Sequence, residues 1–145
     1  MIMNSYRQDT LTHTKKILVK IGSAVLTGTD GLDLKIIDSL AQEMCDLTRR
    51  GFSIVLVTSG AIASGKHRLN ILGKLKSIPE KQAAAAVGQG RLMRVYSKAF
   101  EKNNLYVAQI LLTLADLTDR QRYLNIRNTL STLMEWHVTP IINEN

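Results

Sequence analysis

Cysteine is nearly missing from this chain of 145 residues: Cys45 stands alone. A single thiol excludes an internal disulfide, suits a reducing compartment and predicts a cytoplasmic protein. Its place on the apolar side of a predicted helix marks Cys45 as a small core residue rather than a reactive thiol. Long apolar runs are missing too. None approaches the roughly 20 residues that a bilayer-crossing helix needs, so no membrane segment is expected. The N-terminal MIMNSYRQDTLTHTKK has no apolar centre. That excludes a secretory signal and predicts a frayed tail over residues 1–14. Internal repeats and low-complexity segments are absent as well. What remains, 45% hydrophobic and 21% charged residues, suits one globular domain able to bury its own core.

Acidic residues are scarce in one region only. Between Ser64 and Lys102, nine basic residues (Lys66, Arg68, Lys74, Lys76, Lys81, Arg91, Arg94, Lys98 and Lys102) face two acids, Glu80 and Glu101. This stretch holds the whole net charge of +7, because the rest of the chain balances ten against ten. Such a zone can serve nucleic acid, a small anionic ligand or simple solvation. Five of the nine lie on a predicted loop and helix start, without the interleaved aromatics that single-strand binders use for stacking, so nucleic acid is not expected.

What is present is an alternation of strands and helices. Lys16–Ile21 is a short apolar strand, followed by a turn-rich loop around Gly28, Asp30 and Gly31. From Asp33 to Arg50, Leu34, Ile37, Leu40, Ala41, Met44 and Leu47 recur at helical spacing, and Gly51 supplies a left-handed cap. Ser53–Thr58 reads as a strand buried on both faces. A short helix over 61–68 and a basic connection lead to Ser77, which with Glu80 forms a capping box for a helix reaching Lys102. Gly88 and Gly90 inside that helix cost about 1 kcal/mol each, which predicts close backbone packing at both. Leu105–Thr113 is a third strand. Thr118–Gln121 reads as a second capping box, opening a helix to Trp136, and Val138–Ile142 is a fourth strand. The order predicts an α/β fold, a three-layer αβα sandwich with a mainly parallel sheet. A strand followed at once by the last residues predicts an open sheet edge.

Gly60 to Lys66 spells G-x-x-x-x-G-K, a nucleotide-cradling pattern, but His67 stands where a magnesium-binding hydroxyl is required. The motif also follows the second strand rather than the first, and no later strand ends in a clear magnesium-binding Asp. The match is read as chance.

Ligands of doubly wound sheets bind beyond the carboxyl ends of the strands. The first strand end offers Lys20, Gly22 and Ser23. The second offers Ser59, a candidate cap for the next helix, with the amides of Gly60 and Ala61. The fourth offers Asn143. His67 and His137 are not needed for chemistry there.

Five blocks stand in order: Lys20-Ile21-Gly22-Ser23, Val57 to Ala63, Ala85 to Gly90, Leu111-Leu112-Thr113-x-x-Asp116 and Pro140 to Asn145. Together they closely resemble the N-terminal part of the glutamate 5-kinases, within the amino acid kinase superfamily, over about Lys15 to Asn145. The resemblance implies transfer of the ATP γ-phosphoryl group to the side-chain carboxylate of L-glutamate, the first step of proline synthesis, with Mg2+ bound to the ATP. It implies that Lys20, Gly22 and Ser23 meet the phosphates, Lys20 being catalytic, and that Ser59, Gly60, Ala61 and Asn143 hold glutamate. It also implies a homo-oligomer, and admits glutamyl phosphate reductase, the next enzyme, as a partner. Ala24 departs from the hydroxyl residue of many relatives. The family's further Asp/Asn cluster, base pocket, second phosphate-binding lysine and C-terminal domain follow the part matched here, which predicts weak or no turnover from residues 15–145 alone. Two other readings stay open: a family member with a different carboxylate or phosphate acceptor, and a non-catalytic interaction module.

Overall fold

A computed structural model describes residues 13–28 and 31–144; residues 1–12 of the tail expected over 1–14, and Asp30 of the expected turn, lie outside them. The strands are β1 (Lys16–Lys20), β2 (Thr27–Gly28), β3 (Gly31–Leu32), β4 (Ser53–Val57), β5 (Tyr106–Leu112) and β6 (Val138–Glu144). The helices are α1 (Ser23–Leu26), α2 (Leu34–Arg49), α3 (Ala61–Arg68), α4 (Ile78–Glu101), α5 (Leu114–Thr118) and α6 (Arg120–Glu135). Among the described residues no helix is long and apolar enough to cross a membrane.

The four long strands form one parallel sheet in the order β1-β4-β6-β5, and β2 and β3 form a small antiparallel ribbon. The chain steps from β1 to β4, passes over one position to β5, then returns to fill the gap with β6. So β6 is an interior strand, contrary to the expected open edge. Its backbone pairs with β4 at Val57–Ile142 and with β5 along its whole length. Among the described residues the edges are β1 and β5.

Register places Val19, Leu56 and Ile141 side by side on one face. That face meets Ile37, Ala41, Met44 and Cys45 of α2, and Leu92, Tyr96 and Phe100 of α4, in one core. Cys45 is fully buried there, and burial pushes its thiol above the usual range. Helix α6 packs on β6 but adds nothing to this core, so it covers the opposite face. Leu18 on that face is 66% exposed, so the second helical layer covers it only in part.

Local chemistry explains the helix starts. Asp33 caps α2 by accepting from the amides of Lys35 and Ile36, and Ser77 and Glu80 form the expected reciprocal box on α4. At α6 the cap is Asp119, not Thr118, whose hydroxyl donates instead to the Leu114 carbonyl at 3.2 Å. The second box lies earlier, at α5. Thr113 donates from its amide and its hydroxyl to Asp116 (2.8 and 2.7 Å), and accepts from the Asp116 amide. Leu34 also departs from expectation, being 53% exposed rather than in the core.

Gly88 does pack as its helical cost predicts: a Cβ there would overlap the Ala61 carbonyl of α3. Gly65 on α3 reciprocates, its absent Cβ leaving room for the Ala84 carbonyl of α4. Gly90 has open space where a Cβ would stand, so no close packing explains it.

Candidate functional site

The return of the chain to β6 brings the carboxyl ends of β4 and β6 together. The Thr58 amide donates to the Ile142 carbonyl at 2.9 Å, and the residues just beyond each strand diverge around a crevice. Gly60 makes the turn from β4 into α3 with φ 103°, a left-handed conformation that an L side chain adopts only under strain. It is itself the N-cap of α3. Ser59 therefore does not cap the helix as expected, and its hydroxyl has no hydrogen bond among the described residues.

The crevice has a volume of about 580 Å³. Ser23, Ser59, Gly60, Ala61 and Asn143, five of the residues singled out from the sequence, line it together. Lys20 and Gly22 do not. Lys20 ends β1 opposite Val57, exposed and one strand away, on the same rim. The Ile21 amide fastens that rim to the Val57 carbonyl at 2.9 Å. Gly22 stands in extended geometry ahead of α1, with space where a Cβ would be.

Sequence reasoning gave no role to Lys66, Lys81, Gln82 or Gln89. Lys66 and Lys81 bring two cations to the lining, and no acidic side chain joins them among the described residues. The crevice is therefore suited to an anion. Lys66 also donates to the Gly73 carbonyl, which orients its ammonium. Gln89 on α4 accepts from Asn143 Nδ2 at 2.8 Å, and its own Nε2 is buried with no partner among the described residues. Its signal was the block Ala85 to Gly90, whose resemblance carried no assigned role.

Beneath the loop, the Thr58 hydroxyl and the Tyr96 phenol share a buried hydrogen bond of 2.8 Å. Burial, partly offset by that bond, holds the phenol above its ordinary range. The G-x-x-x-x-G-K stretch is helical from Ala61 on, with Gly65 buried against α4, so it forms no phosphate loop. His137 sits in left-handed geometry (φ 57°) between α6 and β6, at the end of the sheet remote from the crevice. No group of three His, Cys, Asp or Glu among the described residues could hold a metal ion.

A parallel sheet packed with helices and a strand-end crevice suited to an anion define a protein of the α/β class. The sequence profile of the Amino acid kinase family matches residues 15–145. The chain belongs to that family. It is similar to a glutamate 5-kinase of Syntrophus aciditrophicus (strain SB), 66% identical over 143 residues, which are 99% of this chain and 37% of that protein. A glutamate 5-kinase of Syntrophotalea carbinolica is 53% identical over 139 residues (96% and 37%), and one of Maridesulfovibrio salexigens 51% identical over 141 (97% and 37%). The chain thus spans little more than a third of the length of these curated relatives.

Proposed function

We propose that this chain carries the glutamate-binding part of a glutamate 5-kinase. The crevice supports the reading: Ser59, Gly60, Ala61 and Asn143 converge on one volume with two lysines and no acid among its described lining residues. In the proposed reaction a γ-carboxylate oxygen of L-glutamate attacks the γ-phosphorus of ATP. The bond from that phosphorus to the β–γ bridging oxygen breaks, and ADP leaves with the electron pair. The carboxylate, with a reference pKa of about 4.3, is ionised at neutral pH, so no general base is needed. The protein's tasks are in-line positioning and neutralisation of phosphoryl charge.

Ser59 and Asn143 orient the glutamate, and Lys66 and Lys81 offset its negative charge. Lys20, with Gly22 and Ser23, meets the phosphates from the neighbouring strand end. Magnesium would arrive bound to the ATP phosphates. The product, glutamyl 5-phosphate, begins proline synthesis, and the cytoplasm, a homo-oligomer and a partnership with glutamyl phosphate reductase belong to the same proposal.

The first test is calorimetric titration with L-glutamate. Binding that Asn143→Ala weakens at least tenfold is expected, while binding unaltered by that change, or none, would sink the reading. Trapping glutamyl phosphate as its hydroxamate from Mg·ATP then asks whether any turnover depends on Lys20, with Lys20→Ala abolishing it.

A further inference from the structure

Helices α2 and α4 enclose a second recess, of about 460 Å³, away from the strand-end crevice. Five of the nine cations in the basic zone line it: Arg68 from the last turn of α3, Arg91, Arg94 and Lys98 from α4, and Lys102 at the C-cap of α4. Their floor is apolar, made of Leu34 and Val95. A merely solvated helix interleaves charges of opposite sign and spreads them around its axis. Here positions 91, 94, 98 and 102 recur at three- and four-residue spacing, which stacks all four cations on one helix face.

The counter-charge is small. Asp38 is the one acid in the lining, and Lys102 occupies it at 2.7 Å. Arg91 donates to Nδ1 of His67 at 3.1 Å. A guanidinium cannot accept, so Arg91 is the donor, and this contact brings it no carboxylate. Arg68, Arg94 and Lys98 take part in no ion pair among the described residues. Three arginines and two lysines therefore converge on a concave volume with one carboxylate between them. Guanidinium forks match phosphate oxygens two at a time, and the volume lies in the range of small-molecule sites.

We propose that this recess binds a small oligophosphate anion at a site separate from the strand-end crevice. Separation follows from the helix itself: Ala85 faces the crevice and Arg94 the recess, about 13 Å apart along α4. A compact anion suits the concavity better than nucleic acid, because the lining holds no aromatic ring on which a base could stack.

The test is calorimetric titration of the chain with inorganic tripolyphosphate at low and moderate salt. Saturable uptake is expected, falling at least tenfold in Arg94→Ala and in Lys98→Ala, and unchanged in Arg127→Ala, which removes a cation from α6 instead. All three side chains are exposed, so folding is not at stake. Uptake indifferent to Arg94 and Lys98 would place the anion elsewhere and overturn the proposal. So would the absence of saturable uptake, or binding of a single-stranded oligonucleotide without binding of tripolyphosphate.

Discussion

Asn143, at the carboxyl end of β6, donates from Nδ2 to Oε1 of Gln89 on α4 at 2.8 Å. The bond joins β6 to the helix that walls the crevice, and it fixes which way the Asn143 amide is turned. Removing the acceptor in Gln89→Ala should weaken L-glutamate binding about tenfold, or ~1.4 kcal/mol. Stability should fall by only about 1 kcal/mol, for the one hydrogen bond lost, since Gln89 Nε2 has no partner among the described residues. Gln89→Glu keeps an acceptor and should recover most of the affinity. Calorimetry on the pair decides, and equal losses would show that Gln89 does not act through Asn143.

Neighbouring residues on α3 should respond in opposite directions. Alanine at Gly65 or Gly88 drives a methyl group into a carbonyl of the facing helix. The helices must then separate, at a cost of about 3 kcal/mol. For a domain of this size that lowers Tm by roughly 10 °C. Ser64, one position away, is fully buried with an Oγ that has no partner among the described residues. Ser64→Ala should be neutral or stabilising by up to ~1 kcal/mol. Thermal unfolding followed by circular dichroism separates the two cases.

The loop that carries Ser59 is anchored from below and constrained from within. Tyr96→Phe deletes the bond to Thr58 and should cost ~1 kcal/mol. Gly60→Ala keeps that bond but forces a side chain into φ 103°, at a cost of about 1–3 kcal/mol. Amide exchange over Ser59–Ala61 should quicken in both, while exchange in the β5–β6 pairing stays slow. Uniform quickening across the sheet would mean global destabilisation instead.

Acid should weaken the fold through two helix caps. Hydrogen bonds from the Thr113 side chain and amide hold the Asp116 carboxyl below its ordinary range, with Arg122 adding to them. Amides of Ser77 and Lys76 do the same for Glu80. In both cases the unfolded chain takes up a proton first. Their contribution is therefore present above about pH 4, the ordinary carboxyl range, and is lost as pH falls through the lower folded values. Denaturant midpoints measured from pH 6 to pH 2.5 should decline, and Asp116→Asn should flatten part of that decline. An unchanged slope would remove Asp116 from the account.

The long elements were legible in the residues because each carries its own pattern. Ile37, Ala41 and Met44 announce the buried side of α2, and Ser77 with Glu80 announces the start of α4. What could not be read depends on tertiary placement. Nothing local says that β6 slips between β4 and β5, and that one insertion turns an expected edge into the centre of the sheet. Thr118 and Asp119 are equally good caps by composition; the short helix α5 ahead of them decides for Asp119. Gly60 took the cap from Ser59 because only the glycine tolerates the turn. Five residues of the crevice lining were singled out from the strand ends. Gln89 was not, since its partner lies 54 residues away and glutamine on a helix ordinarily faces water.

The insertion of β6 also sets a timetable. As the chain emerges from a ribosome, β1 and β4 can pair as soon as α2 is made, but β5 appears beside a gap. At roughly 5–20 residues per second, a few seconds pass before β6 is available to close it. Through that interval β4 and β5 both present unpaired backbone, an invitation to strands of other chains. The crevice does not exist in this period, because Asn143 is among its walls. Ligand binding can thus reward only a sheet that β6 has already joined, and the vulnerable stage is the one just before β6 arrives.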